Sequence, residues 1–200
     1  MEDVALVGPR LRIRRARIED AELWCSWFAD PRVTQYLPLA GERSLPMADV
    51  RSFLQQASRD DDPKLTVAIE APGGHLLGCG GLRDIIAGGS AEVSLVLGEP
   101  AAWGRGYGHE AMTLLLRFAF ERLHLERVWL LVRADNQRGV RLFTRLGFVV
   151  TETAEGAVVA QGLPRDKYRM ELALEAWRAP PNADGSAQSS TPPRAPSESD

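Results

Sequence analysis

Cysteine and histidine are scarce: the 200-residue chain has two cysteines, Cys25 and Cys79, and three histidines. Two thiols build neither a disulfide framework nor a zinc motif, and they fit a reducing compartment, so a cytoplasmic location is expected. His75, His109 and His124 are scattered along the chain and suggest no metal cluster, so no metal is expected. No apolar run approaches the roughly 20 residues that a membrane-spanning helix requires. The first eight residues lack the basic flank and long apolar stretch of a signal peptide. Charge of one sign is also lacking. A formal net charge of −3 gives no reason to expect a nucleic-acid or membrane partner.

What is present suits one soluble domain: 44% hydrophobic and 26% charged residues. Composition shifts after Arg178. Residues 179–200 are rich in Pro, Ser, Ala and Asp and contain no aromatic or large aliphatic anchor. Such a stretch buries too little to offset its ordering entropy, so a domain at 1–178 and a disordered tail at 179–200 are expected.

Hydrophobic periodicity divides the domain. Strands are expected at 11–15, 65–71, 76–86, 92–97, 127–133, 148–153 (extending toward 160) and 166–174. Helices are expected at 19–29, 46–59, 108–123 and 137–146, with a short helical turn at 31–37. Pro72-Gly73-Gly74 marks a hairpin, and Gly147 suits a left-handed helix cap. Hairpin-linked strands come first and two crossover units follow. This order predicts an α+β fold with a mixed, mostly antiparallel central sheet and helices on both faces.

The segment 103–111, W-G-R-G-Y-G-H-E-A, carries the chemistry. Gly104, Gly106 and Gly108 precede the best amphipathic helix and leave backbone N–H groups uncovered. With the positive end of that helix they form an anion site suited to a pyrophosphate, and Arg105 adds a cation at its rim. A plain glycine-rich loop is the bland alternative. A dinucleotide fold is another, because G-Y-G-H-E-A fits G-x-G-x-x-A. That fingerprint, however, needs a tight strand-to-helix turn in an opening βαβ unit. No G-x-x-x-x-G-K-[ST] string exists, which excludes a P-loop.

A second element follows at 133–148, R-A-D-N-Q-R-G-V-R-L-F-T-R-L-G-F: a strand end, Asn136 at a helix start, and an apolar helix. The two elements together resemble the GNAT acyltransferases. The first, with the upstream A-D-P-R-V-T-Q-Y-L at 29–37, is most similar to the ribosomal-protein N-terminal acetyltransferase (Rim-type) branch. The resemblance spans roughly 11–174. It implies an N-acetyltransferase using acetyl-CoA as cosubstrate, with a primary amine, on a peptide N-terminus or a small molecule, attacking the thioester directly in a ternary complex. It also implies the cofactor residues. Arg105, Gly106, Tyr107, Gly108, His109 and Glu110 would wrap the pyrophosphate. The backbone of Leu95, Val96 and Leu97 would pair with the pantetheine arm, in a gap where strand 92–97 splays from 127–133. Asn136 would contact the pantetheine or cap its own helix, and Phe143 would join the cofactor wall.

The resemblance makes Glu92, 14 positions before Gly106, the candidate general base, because histone-acetyltransferase-like members have their base at that spacing; a solvated or structural strand-end glutamate is the alternative. Two departures from the family pattern stand out. Phe143 replaces a tyrosine that protonates the leaving thiolate in many relatives, and Leu131 replaces a glutamate found in some. A thiolate leaves without much help, its intrinsic pKa being near 8.5. Neither cysteine shows an activating partner. Tyr36, with the loop at 38–45, is the candidate acceptor contact, whereas Trp24 and Trp27 belong to an apolar stripe and read as core. Other readings remain open: a non-catalytic acyl-CoA-binding module, a transferase of a longer acyl group, and a nucleotide-dependent oxidoreductase. Monomer and homodimer are equally compatible with the sequence.

Overall fold

The computed structural model describes residues 5–37, 46–59, 64–160 and 162–178. The expected tail at 179–200 and the candidate acceptor loop at 38–45 lie outside them.

In chain order the elements are β1 (Ala5–Val7), β2 (Arg12–Arg15), α1 (Ala21–Ala29), α2 (Pro31–Thr34), α3 (Met47–Ala57), β3 (Leu65–Glu70), β4 (Leu76–Arg83), β5 (Ser90–Leu97), α4 (Tyr107–Arg117), β6 (Arg127–Arg133), α5 (Gln137–Arg145), β7 (Val149–Ala160), β8 (Leu163–Ala173) and α6 (Leu174–Arg178). The strands form one sheet in the order β1-β2-β3-β4-β5-β6-β8-β7. Every neighbouring pair is antiparallel except β5 and β6. The expected mixed, mostly antiparallel sheet is therefore present.

Strand alternation divides the core between two faces. On one face Val67, Ile69, Val93 and Val128 pack with Ala111, Met112, Leu115 and Phe120 of the α4 segment. On the other, Ala68 and Cys79 pack with Trp24, Trp27, Val50 and Leu54 of α1 and α3. Trp24 and Trp27 are buried, in line with their apolar stripe. Gly98 is what lets Trp27 seat here, since a Cβ at 98 would meet its ring at 2.0 Å. Arg14 anchors this half through a bidentate ion pair with Asp20 (2.7 and 2.9 Å) and a bond to Glu70. The Asp20 hydrogen bond, opposed by burial, holds the Arg14 guanidinium firmly protonated.

Several element ends differ from expectation. β1 was not predicted; its three residues exist as a strand because they pair with β2. β7 runs to Ala160, the full expected extension, whereas β8 starts at Leu163, ahead of the expected 166, because its first residues pair with the end of β7. The last residues turn into α6, where Trp177 packs on Phe120 with ring centroids 5.9 Å apart. The long helix ends as a π-helical turn, Phe118–Arg122, before His124 takes a left-handed backbone (φ 52°).

Candidate active site

The site begins where the sheet opens. β5 and β6 pair over only three positions: Ser90 with Arg127, Ala91 with Val128, and Glu92 with Trp129. Beyond Glu92 the strands separate and one edge of β5 is left open, as the splayed-strand expectation required. The carbonyls of Ser94 and Val96 face β4, where a Cβ on Gly80 or Gly78 would meet them at 2.3 and 2.2 Å. By alternation the edge groups facing the gap belong to Leu95 and Leu97. The carbonyl of Leu97 accepts from Trp103 Nε1 at 2.9 Å. Val96 therefore offers the gap no backbone carbonyl, a refinement of the expected pairing along Leu95 to Leu97.

The glycine loop lies beyond this edge. Gly106 is the N-cap of α4 with φ 83°, a left-handed conformation that disfavours other residues. It has no side chain to cap the helix, and Glu110 makes the first helical bond, its N–H donating to the Gly106 carbonyl at 3.1 Å. Among the described residues the amides of Gly106, Tyr107, Gly108 and His109 have no backbone acceptor. They point to an anion at the positive end of the helix.

Glu110 departs from expectation. Its amide is used within the helix, and its carboxylate takes the Arg10 backbone N–H (2.7 Å) and Nε (2.9 Å). Arg10 also donates to the Arg105 carbonyl at 2.9 Å and stacks on Tyr107, 4.8 Å from its centroid. Glu110, Arg105 and Tyr107 thus clamp the loop from behind instead of lining it.

In front of the loop is a cleft of about 360 Å³. It gathers ten of the residues singled out in the sequence: Tyr36, Leu95, Val96, Leu97, Gly104, Gly106, Gly108, His109, Asn136 and Phe143. Asn136 caps α5, its Oδ1 accepting from Gly139 N at 3.0 Å, and also lines the cleft. Phe143 rests on Phe148, with centroids 5.9 Å apart.

Sequence reasoning passed over the arginines of α5. Arg138, Arg141 and Arg145 all line the cleft, and among the described residues no carboxylate does. Their spacing of three and four residues puts them on one helical face, which was the available signal. Arg138 lies 4.2 Å from the Trp103 ring centroid. Arg133 was also missed. Its side chain is only 8% exposed, it pairs with Asp135 at 2.6 Å, and it donates to the Gln35 carbonyl at 2.7 Å, strapping β6 to the segment carrying Tyr36. The hydrogen bond from Arg133 holds the Asp135 carboxyl below its ordinary pKa.

Glu92 lies outside the cleft wall. It is 5% exposed and pairs with Arg83 through a 2.5 Å contact, so accepting a proton at that oxygen means giving up the pair. That bond in turn raises the Arg83 pKa. Leu131 is exposed and also off the wall. Burial pushes the Cys79 thiol up to about 12, which rules it out as a neutral-pH nucleophile. Among the described residues no group of three His, Cys, Asp or Glu is placed to hold a metal, and no helix is long and apolar enough to cross a membrane.

A splayed parallel pair, an open strand edge and a helix N-terminus with open amides meet at one cleft. The sequence matches the Acetyltransferase (GNAT) domain over residues 10–149, and the chain belongs to the GNAT acetyltransferase family. The N-acetyltransferase p20 of Bacillus licheniformis is 27% identical over 169 residues, covering 84% of this chain and 94% of the relative. Spermidine N-acetyltransferase from Vibrio cholerae, solved with CoA and spermine, superposes with TM-score 0.75 at 20% identity over 85% of this chain and 99% of its own. Ribosomal-protein-S5-alanine acetyltransferase from Vibrio fischeri gives TM-score 0.75 at 16% identity, covering 88% and 100%. The protein is an acetyl-CoA-dependent N-acetyltransferase by family.

Proposed function

We propose that the cleft binds acetyl-CoA along the open edge of β5 and presents its thioester to a primary amine. The observation that carries this reading is the cleft's charge. A chain of net charge −3 places three arginines, a histidine and the open amides of a helix N-terminus around a cleft with no carboxylate among its described residues. That arrangement suits a pyrophosphate and a further phosphate. Leu95 and Leu97 give the edge amide groups that an extended arm needs, and Gly108 leaves room between Leu95, Leu97 and Leu142.

The residues then divide the work. Gly106 through His109 take the pyrophosphate, and Arg138, Arg141 and Arg145 the outer phosphate. Asn136 holds α5 in register, and Phe143 supplies apolar cover. The neutral amine nitrogen bonds to the thioester carbon, the C–S bond breaks, and CoA leaves as thiolate. Holding both reactants in line supplies much of the rate. Among the described residues Tyr36 is the one hydroxyl-bearing side chain on the cleft wall, so its phenol protonates the thiolate in place of the residue that Phe143 replaces. Glu92 receives the amine proton through water, on the strand face opposite Leu95 and Leu97, by trading its Arg83 contact. The reaction takes place in the cytoplasm, a setting that suits the two free thiols.

Calorimetric titration with acetyl-CoA, beside NAD, tests the reading. Micromolar binding of acetyl-CoA alone is the expected result. Binding of neither ligand, or of NAD alone, by folded protein overturns it. Release of free thiol on adding an amine separates a transferase from an acyl-CoA-binding module.

A further inference from the structure

The glycine loop has a second side. Behind it a groove of about 540 Å³ runs between the β1–β2 turn and α4, with Arg10, Gly106, Glu110 and Arg117 on its wall. The turn is drawn tight, the Gly8 N–H donating to the Leu11 carbonyl at 2.8 Å. Gly8 also lets the turn approach the helix. A Cβ there would meet Glu110 Oε1 at 2.8 Å and Leu114 Cδ1 at 3.2 Å.

Arg10 spans this contact. Its backbone N–H and its Nε donate to the two carboxylate oxygens of Glu110 at 2.7 and 2.9 Å. Its Nη1 donates to the Arg105 carbonyl at 2.9 Å, and the guanidinium lies 4.8 Å from the Tyr107 ring centroid. Arg10 thereby touches the residues on either side of Gly106, whose φ of 83° sets the direction of the open amides. The Arg10 side chain is half exposed, and an exposed ion pair contributes little stability by itself. What these contacts supply is geometry, because together they fix one planar group against the loop.

Charge gives the second part. Glu110 is in the first turn of α4, and its side chain is only 12% exposed. A carboxylate there is drawn to the same positive helix end that a pyrophosphate would use. Left without its cation, it would repel the incoming anion through a poorly solvated part of the protein. The Arg10 guanidinium offsets that charge from behind, since neither Arg10 nor Glu110 is on the cleft wall.

We propose that Arg10 is a positioning residue for the cofactor loop, holding the Arg105 carbonyl and neutralising Glu110 so that the amides of residues 106–109 can take the pyrophosphate. The proposal rests on the cofactor reading above. It gives the N-terminal turn, 100 positions before Glu110 in the chain, a part in acetyl-CoA affinity without touching the ligand.

Calorimetric titration with acetyl-CoA tests this in wild type, Arg10→Gln, Arg10→Lys, Glu110→Gln and the Arg10→Gln/Glu110→Gln double variant. Circular dichroism checks that each is folded, and Arg10 lies outside the core. Arg10→Gln should weaken acetyl-CoA about tenfold to thirtyfold. Arg10→Lys should lose less, because an ammonium still neutralises Glu110 but cannot also hold the Arg105 carbonyl. Glu110→Gln should stay within about threefold of wild type. The double variant should recover the larger part of what Arg10→Gln loses, which a merely structural arginine would not allow. An unchanged Kd in Arg10→Gln, or a double variant as weak as Arg10→Gln or weaker, overturns the proposal and leaves the cofactor reading standing. Failure of the wild type to bind acetyl-CoA overturns the cofactor reading, and the proposal falls with it.

Discussion

The two faces of β5 differ in charge as sharply as two separate proteins. Among the described residues the α4–α5 side has three arginines, a histidine and open amides without a carboxylate. On the α1–α3 side the described wall of a second cavity is aromatic, with Asp49, Lys64 and Arg83 at its edge. The cations on the Trp24 side, Lys64 and Arg83, are accompanied by Asp49, whereas the described cations beside Arg138 have no carboxylate among them. The difference teaches that a single strand can serve two cavities of different chemistry, because alternate residues face opposite sides of the sheet.

The strongest way to break this comparison is to fill the glycine loop. A Cβ at Gly106 already lies 3.1 Å from Arg10 Nη2, and φ 83° suits no bulky residue. Gly106→Trp should therefore weaken acetyl-CoA binding at least about 100-fold, or roughly 2.7 kcal/mol. Calorimetry measures it, with circular dichroism as the control for folding. Retained affinity would show that the phosphates bind elsewhere.

This loop is also where the sequence was most informative. Its chemistry is local: three glycines within five residues and the helix that follows specify both the conformation and the donors. The α1–α3 cavity is the opposite case. Trp24, Phe53 and Val96 meet only through tertiary packing, and Trp24 has the same spacing as any core aromatic. The Arg133 bond to the Gln35 carbonyl joins positions 98 residues apart, which no local pattern reports. Glu92 falls between the two cases. Its place on the strand was legible from alternation, whereas its pairing with Arg83 depends on the β4–β5 register that sets Arg83 opposite it. Glu110 sat inside the glycine motif, yet its carboxylate serves Arg10, because β1–β2 pairing brings the N-terminal segment against α4.

A smaller effect sharpens the electrostatic half of the comparison. Replacing Arg138, Arg141 and Arg145 together with Gln should weaken acetyl-CoA roughly tenfold to thirtyfold and flatten its salt dependence. Binding of 3′-dephospho-CoA should change less. Equal losses for both ligands would show that the arginines do not distinguish the outer phosphate. Tyr36→Phe comes next. It should lower kcat about tenfold, with the acetyl-CoA Kd unchanged, in line with a modest contribution from proton donation. A change in Kd without a change in kcat would reassign Tyr36 to binding.

The smallest effect tests the strap across the cleft mouth. Arg133 holds the Gln35 carbonyl only while its guanidinium is oriented, and Asp135 orients it through bonds of 2.6 and 3.0 Å. The Asp135 carboxyl has its pKa lowered on folding, first by the Arg133 hydrogen bond. A lowered folded-state pKa means that the unfolded chain binds the proton more readily, so this pair contributes stability above the ordinary carboxylate range. The contribution fades as pH falls through the folded value. Asp135 is one-third exposed, so solvent screening keeps the gain below about 1 kcal/mol. Thermal melts of wild type and Asp135→Asn should differ by roughly 2–4 °C or less at pH 7. The gap should close as the medium is acidified below the usual carboxylate pKa, because wild type then carries a neutral group as well. A gap that survives in acid would mean that Asp135 acts through shape or hydrogen bonding, and that the strap does not depend on its charge.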